Sequence, residues 1–415
     1  MSQVPDCVMA IDFTLSPEVE QIRRRVREFI DGEVRPAEQG LDYDDRPALV
    51  RTIIDLRHKA KEWGLWLPHM PAEWGGLGLG PVGLASVSAE AARSGLGSFV
   101  LNCQAPDEGN MHTLLHFGTD EQKQRYLAPL CEGIARSCFA MTEPEVAGSD
   151  PTLIQTHAEQ LADGSWVING HKWFISGARG AQFAIVIART DPDAQPVQAR
   201  NTAFIVPTDA PGWEIVRDIE TMSGSHNHCE IRLTDVCVGP DAILGERGGG
   251  HRLGQVRLGP ARLAHCMRWI GQTEMALEMM VDRAGKRFSH GSLLADKQGI
   301  QWLIADSAME LYAAKLMVLH AAYRIENGLP FKQEVSFAKH HVANTLWRVV
   351  DRAIQVHGAL GYSSDTPLGA MLKQARWARF ADGADEIHQM RIAQNVIDEF
   401  ARSGSIRAAV GDLSL

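Results

Sequence analysis

Ser165-Trp-Val-Ile-Asn-Gly-His-Lys-Trp-Phe-Ile-Ser176 is the stretch whose reading decides the fold. Two β-rich halves flank Asn169-Gly170, a dipeptide that favours a two-residue hairpin because both positions tolerate positive φ. The strand code runs from Ser137 to about Gly245. Phe183–Thr190, Thr202–Pro207 and His228–Val236 are further β-rich runs, and the polar stretch Asp191–Asn201 reads as a surface loop.

On both sides of this region the period is helical. From Leu15 to Gly133, Val19, Ile22, Val26, Phe29 and Ile30 form one apolar face, with Ser16-Pro17 as its start signal. Thr119-Asp-Glu-Gln122 reads as a capping box, and Gly133 stops the helix that follows. Beyond His251, helices are expected over 251–285, 292–327, 334–358 and 385–402. The expected architecture is α+β and multidomain: an N-terminal helical domain (1–135), a middle β-barrel-like domain (136–247) and a C-terminal four-helix bundle (248–415). There is no internal repeat and no low-complexity tail.

Composition removes several function classes. The 415 residues are 45% hydrophobic, enough for a large core, and carry a formal charge of −10, which opposes nucleic-acid binding and a polybasic membrane anchor. No apolar run reaches the length of a membrane span. The start, MSQVPDCVMAIDF, lacks a signal or transit pattern, and seven scattered cysteines without a CxxC pair fit reduced thiols. A cytoplasmic location without a disulfide framework or metal cluster is expected.

The segment richest in chemistry is Cys138-Phe-Ala-Met-Thr-Glu-Pro-Glu-Val-Ala-Gly-Ser-Asp150. A short strand runs into a small-residue turn whose N–H groups and hydroxyls can hold a flavin pyrimidine ring and a pyrophosphate; an ordinary strand and loop is the alternative. Phe139–Asp150 resembles the flavin-binding segment of acyl-CoA dehydrogenases. The resemblance continues in Asn169–Ser176, Arg287–Leu294, Gln355–Gly361 and Arg379–Glu386, in family order from Trp63 to about Asn395. Asn102–Met111 and Ala381–Glu386 are similar to the branch fused in animals to an aminoglycoside-phosphotransferase-like domain.

The resemblance implies FAD as cofactor. Phe139, Met141, Thr142 and Gly148 fall on its flavin side, with Met141 and Thr142 at the pyrimidine edge. Ser149 would reach the pyrophosphate or the CoA thioester side, and Phe174 and Ser176 would pack on and hydrogen-bond the ring. Arg287 and His290 fall where a neighbouring subunit clamps the pyrophosphate and adenine, with a solvated helix-end charge as the lesser alternative for Arg287. Gln355, Gly358 and Ala359 occupy the adenosine-side loop, where the family usually has two glycines, so Ala359 departs from the pattern. Ala384 and Glu386 are assigned to the cofactor, and Ser149, Arg262, Ala381 and Gly383 to the substrate.

Asp382 occupies the position of the catalytic base, which removes the α-proton while a hydride leaves the β-carbon for flavin N5. Most of the family has Glu here, so substrate or backbone must approach by roughly one C–C bond. Taken alone, Asp382 reads as a helix cap, although Asp385 suits that task better. Relatives with the base on another helix use a Glu-Arg pair; this chain has Ala261-Arg262, and Arg262 would support the active-site geometry, or be a surface charge. The thioester carbonyl is expected between the base residue's N–H and a ribityl hydroxyl.

Other patterns carry less. Gly78-Leu-Gly-Pro-Val-Gly83 matches GxGxxG but lacks a preceding strand. His226, His228 and Glu230 read as a polar strand-end face rather than a metal site, His340-His341 as surface or core-edge packing, and Met275, Met279 and Met280 as helix core. The implied reaction is α,β-dehydrogenation of an acyl-CoA, with electrons passing to an electron-transfer flavoprotein and the chain forming at least a dimer, and by family a tetramer. An acyl-CoA oxidase or flavin monooxygenase on the same fold, and a non-catalytic flavoprotein scaffold, are the competing readings. The fused branch suggests a hydroxylated, phosphorylated acyl chain, with an ordinary straight-chain acyl-CoA pocket as an equal alternative. The length is taken up by the dehydrogenase, so a separate hydroxyacyl kinase is the expected partner, with Arg262 and His357 as cationic lining.

Overall fold

The computed structural model describes residues 13–411 except 44, 225 and 226. Helix α1 (Pro17–Phe29) starts where the Ser16 hydroxyl accepts the Val19 N–H at 3.3 Å, with Pro17 in the first turn. Val26, Phe29 and Ile30 are buried, whereas Val19 and Ile22 are half-buried. Helices α2 (Arg46–Glu62), α3 (Pro81–Ala91) and α4 (Asp107–Phe117) follow. The Thr119 capping box forms, with Thr119 and Gln122 bonded reciprocally at 3.1 and 3.2 Å, and Gly133 ends the next helix in the left-handed region at φ +80°.

The middle region contains β1 (Ser137–Ala140), β2 (His157–Gln160), β3 (Trp166–Ser176), β4 (Phe183–Arg189), β5 (Asn201–Pro207), β6 (Trp213–Asp218) and β7 (His228–Val238). They form one curled sheet in the order β1-β4-β2-β3-β7-β6, with β5 also on β4. Its strands β2 and β6 lie in stretches whose polar character gave no strand signal. The continuous apolar run of β4 is explained by burial on both faces: Phe183, Ile185 and Ile187 join the core under the N-terminal helices, and Ala184, Val186 and Ala188 join the sheet's own core.

The expected hairpin at Asn169-Gly170 does not form. Residues 166–176 are one strand, paired with β7 across a bulge between Ile168 and Gly170, and the turn to β2 falls instead at Asp163-Gly164. Gly170 is needed for close approach: a Cβ there would lie 2.2 Å from Thr156 Oγ1. The Asn169 side chain bonds Asp235 across to β7 rather than shaping a turn.

The C-terminal helices are α5 (Gly250–Lys286), α6 (Gln298–Glu326), α7 (Lys332–His357), α8 (Leu368–Ala378) and α9 (Asp385–Ser403). The helix expected from 292 starts later, because Ser292-Leu293 pairs with Phe288-Ser289 as a small ribbon. Helix α8 was not anticipated; it packs Leu368, Met371, Ala375 and Ala378 into the bundle core. Met280 is buried in that core with Met275 and Met279 packed against it. Helix α3 serves two cores, with Val82, Leu84 and Ala85 facing the bundle and Val87 and Ala91 facing α1 and α2.

Gly170→Ala is expected to destabilise the protein by about 1–3 kcal/mol, the usual range for overpacking, because Thr156 is buried and β-branched. Urea unfolding would check this, and an unchanged midpoint would refute the close-approach account.

Candidate active site

Strand β3 organises the first half of the site. Its Lys172 side chain is wholly buried, and Nζ donates to the Met141 and Ile187 carbonyls and to Glu143 Oε1 at 2.8–2.9 Å. Burial pulls the ammonium down to about 8, against the opposing pull of Glu143. Glu143 accepts the Gln155 and Thr156 N–H groups at 2.7 and 2.9 Å, so the Met141-Thr142-Glu143 segment has a fixed course. Thr142 is joined to Trp173 twice, through its carbonyl and its hydroxyl.

A second bulge in β3, between Lys172 and Ile175, turns Phe174 outward at φ +52° with 45% of its surface exposed. Ser176 Oγ lies 2.9 Å from His228 Nδ1, and the His228 ring stands 6.1 Å from Phe174. Gly148 packs toward Thr142, while Ser149 is exposed on the turn. An open aromatic face beside a threonine, a serine and a small-residue turn fits the flavin end of FAD. The Arg257 guanidinium covers the Phe139 ring at 4.2 Å.

The second half is the loop between α8 and α9. Asp382 sits at φ +52° and Gly383 at φ +109°, conformations a branched side chain would not adopt. Arg262 Nε donates to the Asp382 carbonyl at 2.7 Å, and Lys339 Nζ donates to the Gly383 carbonyl at 2.6 Å. Among the described residues the N–H groups of Asp382, Gly383 and Ala384 meet no protein acceptor. The Asp382 carboxylate retains 24% exposure, with His265 Nε2 3.4 Å away. Burial alone would favour its protonated form, but the electrostatic pull of its neighbours His265, Arg257, Arg262 and Lys339 outweighs it and holds the carboxyl below its ordinary value.

Neither aspartate caps α9. The helix starts at Asp385 with Ala384 at its N-cap and no side-chain cap, because the Asp385 carboxylate is drawn to Arg379 Nε at 2.8 Å and Asn344 Nδ2 at 3.0 Å. The expectation of a cap at Asp385 is therefore corrected. Arg262, Ala381, Asp382 and Gly383 come together. Arg287, His290, Gln355, Gly358, Ala359 and Glu386 are all exposed, and no hydrogen bond or ion pair among the described residues joins the Arg287 or His290 side chain to either half. His357 is buried with Nδ1 2.8 Å from the Ala353 carbonyl, a contact within its own helix.

Family models for the N-terminal, middle and C-terminal domains of acyl-CoA dehydrogenases match residues 16–134, 138–236 and 248–397. FadE2 of Mycobacterium tuberculosis, named as an acyl-CoA dehydrogenase, is 39% identical over 96% of this chain and 99% of its own. The chain belongs to the acyl-CoA dehydrogenase family. Mouse acyl-CoA dehydrogenase family member 10 is likewise 39% identical over 92% of this chain, which spans only 37% of the mouse protein. A Mycobacterium abscessus structure named for the same family superposes with a TM-score of 0.88 at 35% identity, covering 93% of this chain and 100% of that one.

Within this acyl-CoA dehydrogenase fold, the sequence reading missed His265, Arg257, Lys339 and the Lys172–Glu143 pair. One signal was available: Arg262, His265 and Arg268 recur at three-residue steps on one face of α5, where a core helix should be apolar. Among the look-alikes, Glu230 pairs with His171 and Arg217, and His228 with Ser176; His226 lies outside the described residues. No group of three or more metal-binding side chains is found among the described residues, and none of their helices is long and apolar enough to cross a membrane. The described cysteines are free.

His388, buried beside Gly383, has its pKa pulled down to about 4 by burial. Its folded value lies below the unfolded one near 6.5, so the unfolded chain binds the extra proton, and stability is lost as pH falls from about 6.5 towards 4. His388→Leu is expected to remove about 2 kcal/mol of the stability difference between pH 7 and pH 5. Urea unfolding of both proteins at the two pH values measures it; parallel losses would show that His388 is protonated alike in both states.

Proposed function

We propose that the protein oxidises an acyl-CoA to the trans-2-enoyl-CoA, with Asp382 as the base for the α-proton. The observation that carries this reading is the Asp382 loop, held by two backbone-directed cations while the carboxylate is left ionised and reachable. Substrate entry would expel water from the carboxylate, strengthening its drive to accept a proton. The unpaired N–H of Asp382 is placed to donate to the thioester carbonyl as enolate-like charge develops. Phe174, Thr142 and Ser176 would hold the FAD, which when bound would supply the hydride acceptor. Family membership supports an electron-transfer flavoprotein as the onward acceptor.

Asp382→Asn keeps shape and backbone N–H but removes the base. It should remain yellow and folded while flavin reduction by substrate falls at least about 100-fold. Wild-type bleaching by the Asn variant would sink the assignment. Anaerobic bleaching by a panel of acyl-CoAs also separates a dehydrogenase from an idle scaffold, and the rate of reoxidation by oxygen separates it from an oxidase.

Self-association supports the remaining cofactor contacts. Trp302, Met309, Tyr312 and Leu316 leave an exposed apolar stripe on α6, and Arg287 and His290 are likewise exposed, as a clamp reaching a neighbouring copy requires. Arg287→Ala should weaken FAD retention roughly 10-fold, the scale of one charge-assisted hydrogen bond, and loosen the oligomer. Full flavin content with unchanged sedimentation would remove Arg287 from the site.

A phosphorylated hydroxyacyl chain, supplied by a separate kinase, is favoured by one specific observation. Arg257 and Arg262 are deeply set, yet neither has a carboxylate within 4 Å among the described residues. Comparing kcat/KM for plain, 4-hydroxy and 4-phospho acyl-CoAs of equal length tests it, and a clear preference for the plain chain would remove the kinase.

A further inference from the structure

His265, on α5, is the basic side chain within 4 Å of the Asp382 carboxylate among the described residues, with Nε2 3.4 Å from Oδ2. The neighbouring cations are engaged elsewhere. Arg262 and Lys339 hold backbone carbonyls, and Arg257 donates to Asn110 Oδ1 at 3.0 Å and to the Pro106 carbonyl. The imidazole is fixed in orientation, stacked 5.4 Å from Trp269 and edge-on to Trp377. Its other nitrogen, Nδ1, lies 3.3 Å from Arg268 Nη2. A guanidinium only donates, so Nδ1 is the acceptor and the hydrogen of the neutral ring sits on Nε2, the nitrogen nearer Asp382. Arg268 is itself anchored by Glu108 at 2.6 Å and the Cys103 carbonyl at 3.1 Å.

We propose that His265 is a positioning residue for the base: its Nε2–H holds one oxygen of Asp382 and leaves the other free for the α-proton, while Arg268 fixes the tautomer. This rests on Asp382 being the base. The groups facing His265 are Asp382 from its loop, Glu108 from α4, Lys339 from α7 and Arg268 from its own helix. Burial, the largest influence, pulls the imidazole down to about 4, so it is neutral at pH 7. A neutral donor orients the carboxylate without the full positive charge that would depress its basicity further. The 3.4 Å contact is close without being an aligned hydrogen bond, and contacts to a base often tighten only when substrate closes the site.

The test separates proton removal from hydride loss. An acyl-CoA with sulfur in place of the β-carbon can lose its α-proton but has no β-hydride to give. Exchange of that α-proton into deuterated water is followed by NMR across pH in the wild type and in Asp382→Asn, His265→Gln and His265→Phe holoenzymes. The Gln amide reaches the Nε2 position; Phe offers no donor. Without the donor the ionised carboxylate loses a hydrogen bond, so His265→Phe should move the acidic limb of the profile up by about one pH unit and slow exchange at neutral pH roughly 10-fold. His265→Gln should restore the limb to its wild-type place. If the Phe variant loses its flavin or fold, His265→Asn replaces it, since its amide reaches only the Nδ1 position. An unmoved limb in the donor-less variants, or slowing that Gln does not rescue, overturns the proposal and leaves His265 as packing. Undiminished exchange in Asp382→Asn instead overturns the base assignment itself.

Discussion

A buried ammonium sets the geometry on which the rest depends. Lys172 has no solvent exposure, and its three hydrogen bonds tie β3 to the end of β1 and to β4. An unpaired ammonium in that position would be intolerable, so Glu143 must come inward to meet it, and two backbone N–H groups must meet Glu143 in turn. The path of Met141 and Thr142 is the result of this chain of demands. So is the bulge after Lys172, since keeping its side chain inward while Ile175 also points inward forces an extra residue out, and that residue is Phe174.

The loop bearing Asp382 follows the same logic with the signs rearranged. A non-glycine residue at positive φ costs of the order of 1–3 kcal/mol and persists only where neighbours hold it. Here the holding groups are a guanidinium and an ammonium directed at consecutive carbonyls, from α5 and α7 respectively. Two helices of the bundle thus converge on one tight turn, and Arg262 meets it through a bond to the backbone of Asp382.

Much of this was legible in the sequence, and the failures have physical causes. Period and capping chemistry located α1, the Thr119 box and the long C-terminal helices, because those signals are local. Asn169-Gly170 misled because the dipeptide reports what a turn permits, while Gly170 answers a demand made by Thr156, a residue on another segment. The same limit hid Lys172–Glu143 and Lys339–Gly383, whose partners lie 29 and 44 positions apart. Asp382 and Arg262 were reached through resemblance, and nothing in their own spacing revealed that 120 positions of chain close between them.

The placement of the cations has a consequence for the proposed chemistry. A guanidinium bonded to a carboxylate forms a neutral pair whose field falls away quickly, and it occupies the lone pairs that a base needs. Bonded to carbonyl oxygens instead, Arg262 and Arg257 keep their charge uncompensated at short range while satisfying their donors. Their field then extends to the carboxylate, which it keeps ionised, and to the place where a thioester enolate would accumulate negative charge. Fixed charges of this kind need no reorganisation as the proton departs, which makes them more effective than water in the same position. Backbone-directed cations therefore reconcile two opposing requirements, a carboxylate free to accept a proton and a surrounding potential positive enough to stabilise the charge left behind.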